Sequence, residues 1–99
     1  MVVEKQIVKC TEILQKKEKE YVTENTDRLV AFKVAAILQR CSPKEALAGM
    51  MAKHIVSIYD MCNTHDISYD MATWEEKITD SMNYLILLRA IVEEEQGHG

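Results

Sequence analysis

The chain predicts an all-α domain on three observations. Breakers are scarce, with one Pro and three Gly in 99 residues. Apolar residues recur at spacings of three and four along most of the length, and segments rich in cap formers interrupt that rhythm. A chain this short makes one domain, which buries roughly 60 to 70% of its unfolded surface and gains from a partner chain. The expectation is therefore a four-helix, bundle-like single domain over 1–99, completed by dimerisation, with helices at about 3–21, 26–39, 43–62 and 74–94.

In the first helix Val3, Ile7, Cys10, Leu14 and Tyr21 form the apolar series. Lys17 completes it by laying its stem along that face, and Glu12 pairs with Lys16 at i, i+4. The mixed run QKKEKE reads as a solvated face. The cap formers of TENTD then precede Arg28, Leu29, Phe32, Val34, Ala36, Ile37 and Leu38, which place a second helix at about Thr26 to Gln39. Ser42-Pro43-Lys44-Glu45 combines an N-cap serine, a proline at the first helical position and a glutamate at N3, so it opens a third helix with a capping box. There Leu47, Met51, His54, Ile58 and Met61 alternate spacings of four and three, the seam of a helix packed nearly parallel or antiparallel to a neighbour.

NTHDISYDMA is a long connection for a bundle, and loops of that length more often carry function or adapt their shape. Thr73-Trp74-Glu75-Glu76 reads as a second capping box opening helix four, which runs to about Glu94. The later half of that helix, NYLILLRAIV, shows no polar face before Arg89. A helix apolar on all sides must be covered on all sides, more than three short helices supply. A homodimer follows, isologous about a two-fold, with Tyr84, Leu87 and Ile91 as interface candidates.

Net charge is −4 and no Lys/Arg cluster is free of interleaved acids, which disfavours nucleic-acid binding. Cys10, Cys41 and Cys62 are odd in number and show no CxxC pairing, so they read as reduced, buried thiols of a cytoplasmic protein. The N-terminus lacks the basic and continuously apolar regions of a signal peptide, and the apolar run Tyr84 to Leu88 is too short to span a bilayer. No membrane partner is expected.

One face of helix four carries Glu76, Asp80 and Asn83 at i, i+4 and i+7. Mg²⁺ prefers such hard oxygen ligands and takes one or two carboxylates, leaving its other positions to water and substrate phosphates. The competing reading is a polar stripe whose like charges are relieved by Lys or Arg of another helix. On helix three Ala46, Gly49, Lys53 and Asp60 share a second face, where Lys53 suits a carboxylate or a phosphate. Lys53 and Asp60 stand about 10 Å apart by helical rise, too far to hold one ion directly. His54 has Ser57 and Ile58 at i+3 and i+4, so the helical zinc pattern is absent and a hydrogen-bonded core histidine is expected. His65 and Asp66 lie in the long connection, within reach of a ligand in principle but polar by the habit of loops. Neither a Gly-rich phosphate loop nor a GxSxG nucleophile turn occurs.

Three stretches, KKEKEYVTENTDRLVAFKVAA, SPKEALAGMMAKHIVSIYDM and WEEKITDSMNYLILLRA, together resemble small phage and prophage proteins of the MazG-like, all-α nucleotide pyrophosphohydrolase kind, over about residues 16 to 92. The likeness rests on a Lys-rich stretch ending in Tyr21, on Phe32, on Met50 to Lys53, and on Asp80-Ser81-Met82-Asn83-Tyr84. It implies an oligomeric helical bundle that splits nucleoside triphosphates to monophosphate and pyrophosphate with Mg²⁺ held by helix-borne carboxylates. Asp80 matches the acidic position of the last helix. Lys77 stands three before it, where enzymatic members carry Glu; Glu45 is followed by Ala48 and Gly49 in place of the second Glu of Glu-x-x-Glu; Ala31 precedes Phe32, where phage relatives often have Asn. The resulting expectation is Mg²⁺ on Glu76 and Asp80, nucleotide on Lys53 and Asn83, and no assignable catalytic base. The alternative is a non-catalytic helical dimerisation or protein-interaction module of phage or prophage origin.

Overall fold

Ser42 does what its capping sequence requires. In the computed structural model, which describes residues 1–21 and 29–97 with the side chains of 17–21 excepted, the Glu45 N–H donates to Ser42 Oγ at 3.2 Å and the Ser42 N–H donates to Glu45 Oε1 at 3.1 Å. With Pro43 in the first turn, this reciprocal cap starts a helix that reaches Asn63. Ahead of it, the preceding helix ends on Arg40 in the left-handed conformation, φ 56°. The Arg40 N–H donates to Ile37 O and the Cys41 N–H donates to Ala36 O at 2.9 Å, the two bonds of a Schellman turn. The elements in order are α1 (Val2–Tyr21), α2 (Val30–Gln39), α3 (Pro43–Asn63) and α4 (Met71–Glu95), an all-α fold. The TENTD segment and the expected start of helix two at Thr26 lie outside the described residues.

Helix α4 starts three residues before the expected Trp74. Asp70, not Thr73, is its N-cap: Asp70 Oδ1 accepts from the Thr73 N–H at 2.8 Å, which makes Thr73 the N3 residue. Aspartate is among the strongest caps and Met71-Ala72 suits a first turn, so the helix grows back to it. The connection shortens to residues 64–70. Tyr69 packs edge-on against Trp74, with ring centroids 6.1 Å apart, and fixes the entry into α4.

Helix α4 is the axis of the molecule. Gln6 meets Thr79 and Cys10 meets Asn83, so α1 runs parallel to α4 at a constant offset. Lys44 meets Glu95 at one end and His54 meets Tyr84 midway, so α3 runs antiparallel to it. Among the described residues α1 packs on α4 alone, and α2 packs on α3. The bundle is therefore open along one side. Leu29, Phe32, Leu47, Leu87 and Ile91 form the buried core between α2, α3 and α4, with Met50, Met51, Tyr84 and Leu88 around it. The expected α3 seam faces this core, with Leu47 and Met61 buried and Met51, His54 and Ile58 half-buried.

That packing corrects the interface residues. Leu87 and Ile91 are 7% and 2% exposed within a single chain, because α2 and α3 cover that side of α4. Tyr84 lies between Phe32, 6.3 Å away, and His54, 5.0 Å away. The uncovered large apolar side chains of α4 are instead Met71 in its first turn and Leu85 and Ile86 in its later half. In the described part of the α1 apolar series Cys10 is buried and Leu14 half-buried, while Val3 and Ile7 stay more than half exposed because α4 alone lies against that helix. Burial of the thiols holds for Cys10, fails for the exposed Cys62 and is partial for Cys41; all three are free.

The open arrangement shows in the overall dimensions. The radius of gyration is 15.1 Å, against about 13 Å for a compact chain of this length. The accessible surface is 7264 Å², against about 5,800 Å² for a compact chain of this mass. Among the described residues no helix is long and apolar enough to cross a membrane.

Candidate functional site: the groove between α1 and α4

The two sides of α4 differ in chemistry. Toward the core with α2 and α3 it presents Leu87 and Ile91, and toward α1 it presents Thr79 and Asn83, all four buried. Gln6 Nε2 donates to Thr79 Oγ1 at 2.8 Å, and Asn83 Nδ2 donates to Cys10 O at 3.3 Å. A helix interface built on hydrogen bonds needs these donors matched, since a buried unpaired polar group costs about 1–3 kcal/mol. Asn83 Oδ1 and Ser81 Oγ are buried with no hydrogen-bond partner among the described residues.

Beside this polar contact a cavity of about 320 Å³ opens between the two helices, lined by Lys9, Ile13, Glu75, Glu76, Thr79 and Asp80. Glu76 is exposed and Asp80 half-buried. Their i, i+4 spacing sets them on one face, turned into the cavity. Lys9 Nζ lies 3.3 Å from Glu75 Oε1 across its mouth. Both partners keep about two-fifths of their exposure, so this pair is a weak clasp that a stronger anion or cation can exchange. Three carboxylates and one ammonium thus share a concave site.

The expected column divides at Asn83. Glu76 and Asp80 line the cavity, whereas Asn83 is spent beneath it in holding α1 to α4 and is a positioning residue of the interface. Lys53 lies elsewhere. It borders a second surface groove, between α3 and α4, together with Ser57, Asp60, Tyr69, Thr73 and Lys77. Successive helical residues point about 100° apart, so Glu76 turns toward α1 while Lys77 turns toward α3. Lys53 therefore does not meet Glu76 and Asp80 within one chain.

Among the described residues no three His, Cys, Asp or Glu side chains are gathered for a metal. The groove offers Glu76 and Asp80 as a pair, with Glu75 held by Lys9. Three participants, Gln6, Lys9 and Thr79, were not expected from the sequence. Gln6 and Lys9 flank Cys10 by one helical turn and by one residue, and a polar residue that close to an apolar series is the available signal. Comparisons with protein-family models, with curated proteins and with solved structures find no match to this chain.

Proposed function

We propose that this chain is a MazG-like nucleotide-binding protein that holds a Mg²⁺–nucleoside triphosphate at the α1–α4 groove. The observation that supports this reading is the sharing of one cavity by Glu75, Glu76 and Asp80. A bare polar stripe would face bulk solvent. Glu76 and Asp80 are the metal ligands, in the one-or-two-carboxylate mode that Mg²⁺ favours. Lys9 leaves Glu75 to meet the polyphosphate. When bound, Mg²⁺ supplies charge neutralisation at the phosphates, and the protein's own task is placement. The groove supplies the two ligands and the cation, and splitting to monophosphate and pyrophosphate is the reaction proposed for it. Pyrophosphate release from a panel of ribo- and deoxynucleoside triphosphates with Mg²⁺ tests this. Turnover by the native chain and its loss in Asp80→Asn are expected; no turnover with any triphosphate contradicts the hydrolytic part of the proposal.

A second reading is a non-catalytic, self-associating helical module of the cytoplasm. It is favoured by the surface: the chain exposes 7264 Å², about 1,500 Å² beyond a compact chain of its mass. A standard interface covers about 800 Å² on each partner. Self-association and nucleotide binding are compatible.

A further inference from the structure

Helix α3 carries two apolar stripes, and the fold uses one of them. Leu47, Met51, His54, Ile58 and Met61 face the core. One residue on from each stand Ala48, Ala52, Ile55, Tyr59 and Cys62, with the same alternation of four and three that marks a helix-pairing seam. Every member of this second stripe is exposed, Ile55 by 45% and Tyr59 by 68%. It contains no charged residue, so over about 21 Å of helix an apolar seam meets solvent.

The order of sizes along the stripe selects its occupant. Two alanines fill its N-terminal half, Ile55 stands at the middle, and the large Tyr59 and the small Cys62 follow. A second α3 laid antiparallel across a two-fold at Ile55 sets Ala52 against Tyr59 of the partner subunit and Ala48 against Cys62 of the partner subunit. Small meets large where Ala52 receives Tyr59, as interdigitated packing requires, and two small side chains meet at each end. A parallel pairing sets Tyr59 on Tyr59 and Ala52 on Ala52, which leaves both a clash and a void. The area points the same way, since the surplus surface of about 1,500 Å² exceeds what one partner contributes to a stable dimer.

We propose that the chain forms a two-fold homodimer through antiparallel pairing of α3 along Ala48, Ala52, Ile55, Tyr59 and Cys62. This deepens the self-association reading and rests on it, moving the interface from α4 to the outer face of α3. The test uses the full chain carrying Ala48→Cys under mild oxidation, with sedimentation of the wild type alongside. The expected result is a wild-type dimer, a disulfide-linked dimer of the Ala48→Cys chain on a non-reducing gel, and no linked species once Cys62→Ser is added. Ala52→Glu, at an exposed position, is expected to give a monomer with an unchanged far-ultraviolet helical spectrum. A wild-type monomer at micromolar concentration overturns self-association altogether. A dimer that Ala48→Cys does not link and Ala52→Glu does not dissociate overturns the α3 pairing alone.

Discussion

At the scale of single residues, two carboxylates hold helix starts and carry a pH dependence. Hydrogen bonds from the Ser42 backbone N–H and then its hydroxyl hold the Glu45 carboxyl below its ordinary range, with Lys44 adding attraction. The Thr73 side chain and N–H do the same for Asp70. A carboxyl whose pKa is lower folded than unfolded stabilises the fold above its unfolded pKa, and that contribution is lost as pH falls through the folded value. Stability is therefore expected to hold near neutral pH and to fall below the ordinary carboxylate range. Asp70→Asn keeps a cap acceptor but removes the titration, so its acid limb should be shallower in urea unfolding followed across pH. An unchanged limb contradicts the role given to Asp70.

Legibility at this scale depended on whether the residue type named its own conformation. Ser42-Pro43-Lys44-Glu45 did so, and the cap formed as read. Arg40 did not: the left-handed turn that ends α2 is usually marked by Gly or Asn, and here an arginine adopts φ 56° to satisfy the Ala36 and Ile37 carbonyls. Thr73 and Asp70 are both good caps three residues apart. Competition between them for one helix start is settled by which lets the helix run longer, and the sequence does not rank them.

At the scale of elements, α4 joins two unlike interfaces. Its α3 side is an apolar core in which Leu47 is fully buried. Leu47→Ala is expected to cost about 2–5 kcal/mol, through lost transfer energy and the cavity left behind. This should appear as a lower urea midpoint at constant slope; a cost under about 1 kcal/mol contradicts the placement of Leu47 at the centre of the core. The α1 side is held by Gln6, Thr79, Cys10 and Asn83. Amphipathic rhythm located the apolar side well, because burial of Leu, Phe and Ile is what that rhythm reports. The polar side was legible only as a column of oxygen-bearing residues. The pattern shows that Glu76, Asp80 and Asn83 share a face, but only the approach of α1 decides that two line a cavity and the third is buried beneath it.

At the scale of the whole molecule, the all-apolar half of helix four points, in sequence, to a partner chain on that helix. The structure covers Leu87 and Ile91 from within and leaves other faces bare, notably the outer stripe of α3. The need for cover was legible in the sequence, since it is a matter of composition and length. The surface that lacks cover was not, because it depends on how α1 to α4 are arranged. An open layer with a radius of gyration of 15.1 Å leaves the α1–α4 groove at a free edge of the molecule, where the proposed triphosphate would need no movement of the core to enter.

The groove is the central claim, and metal titration tests it without requiring turnover. Mn²⁺ in place of Mg²⁺ would be titrated by electron paramagnetic resonance into the native chain, Glu76→Gln and Asp80→Asn, each with and without a nucleoside triphosphate. Saturable binding by the native chain, tightened by the nucleotide and lost in both variants, is the expected result. Isotherms that coincide for all three chains contradict a metal–nucleotide site at Glu76 and Asp80.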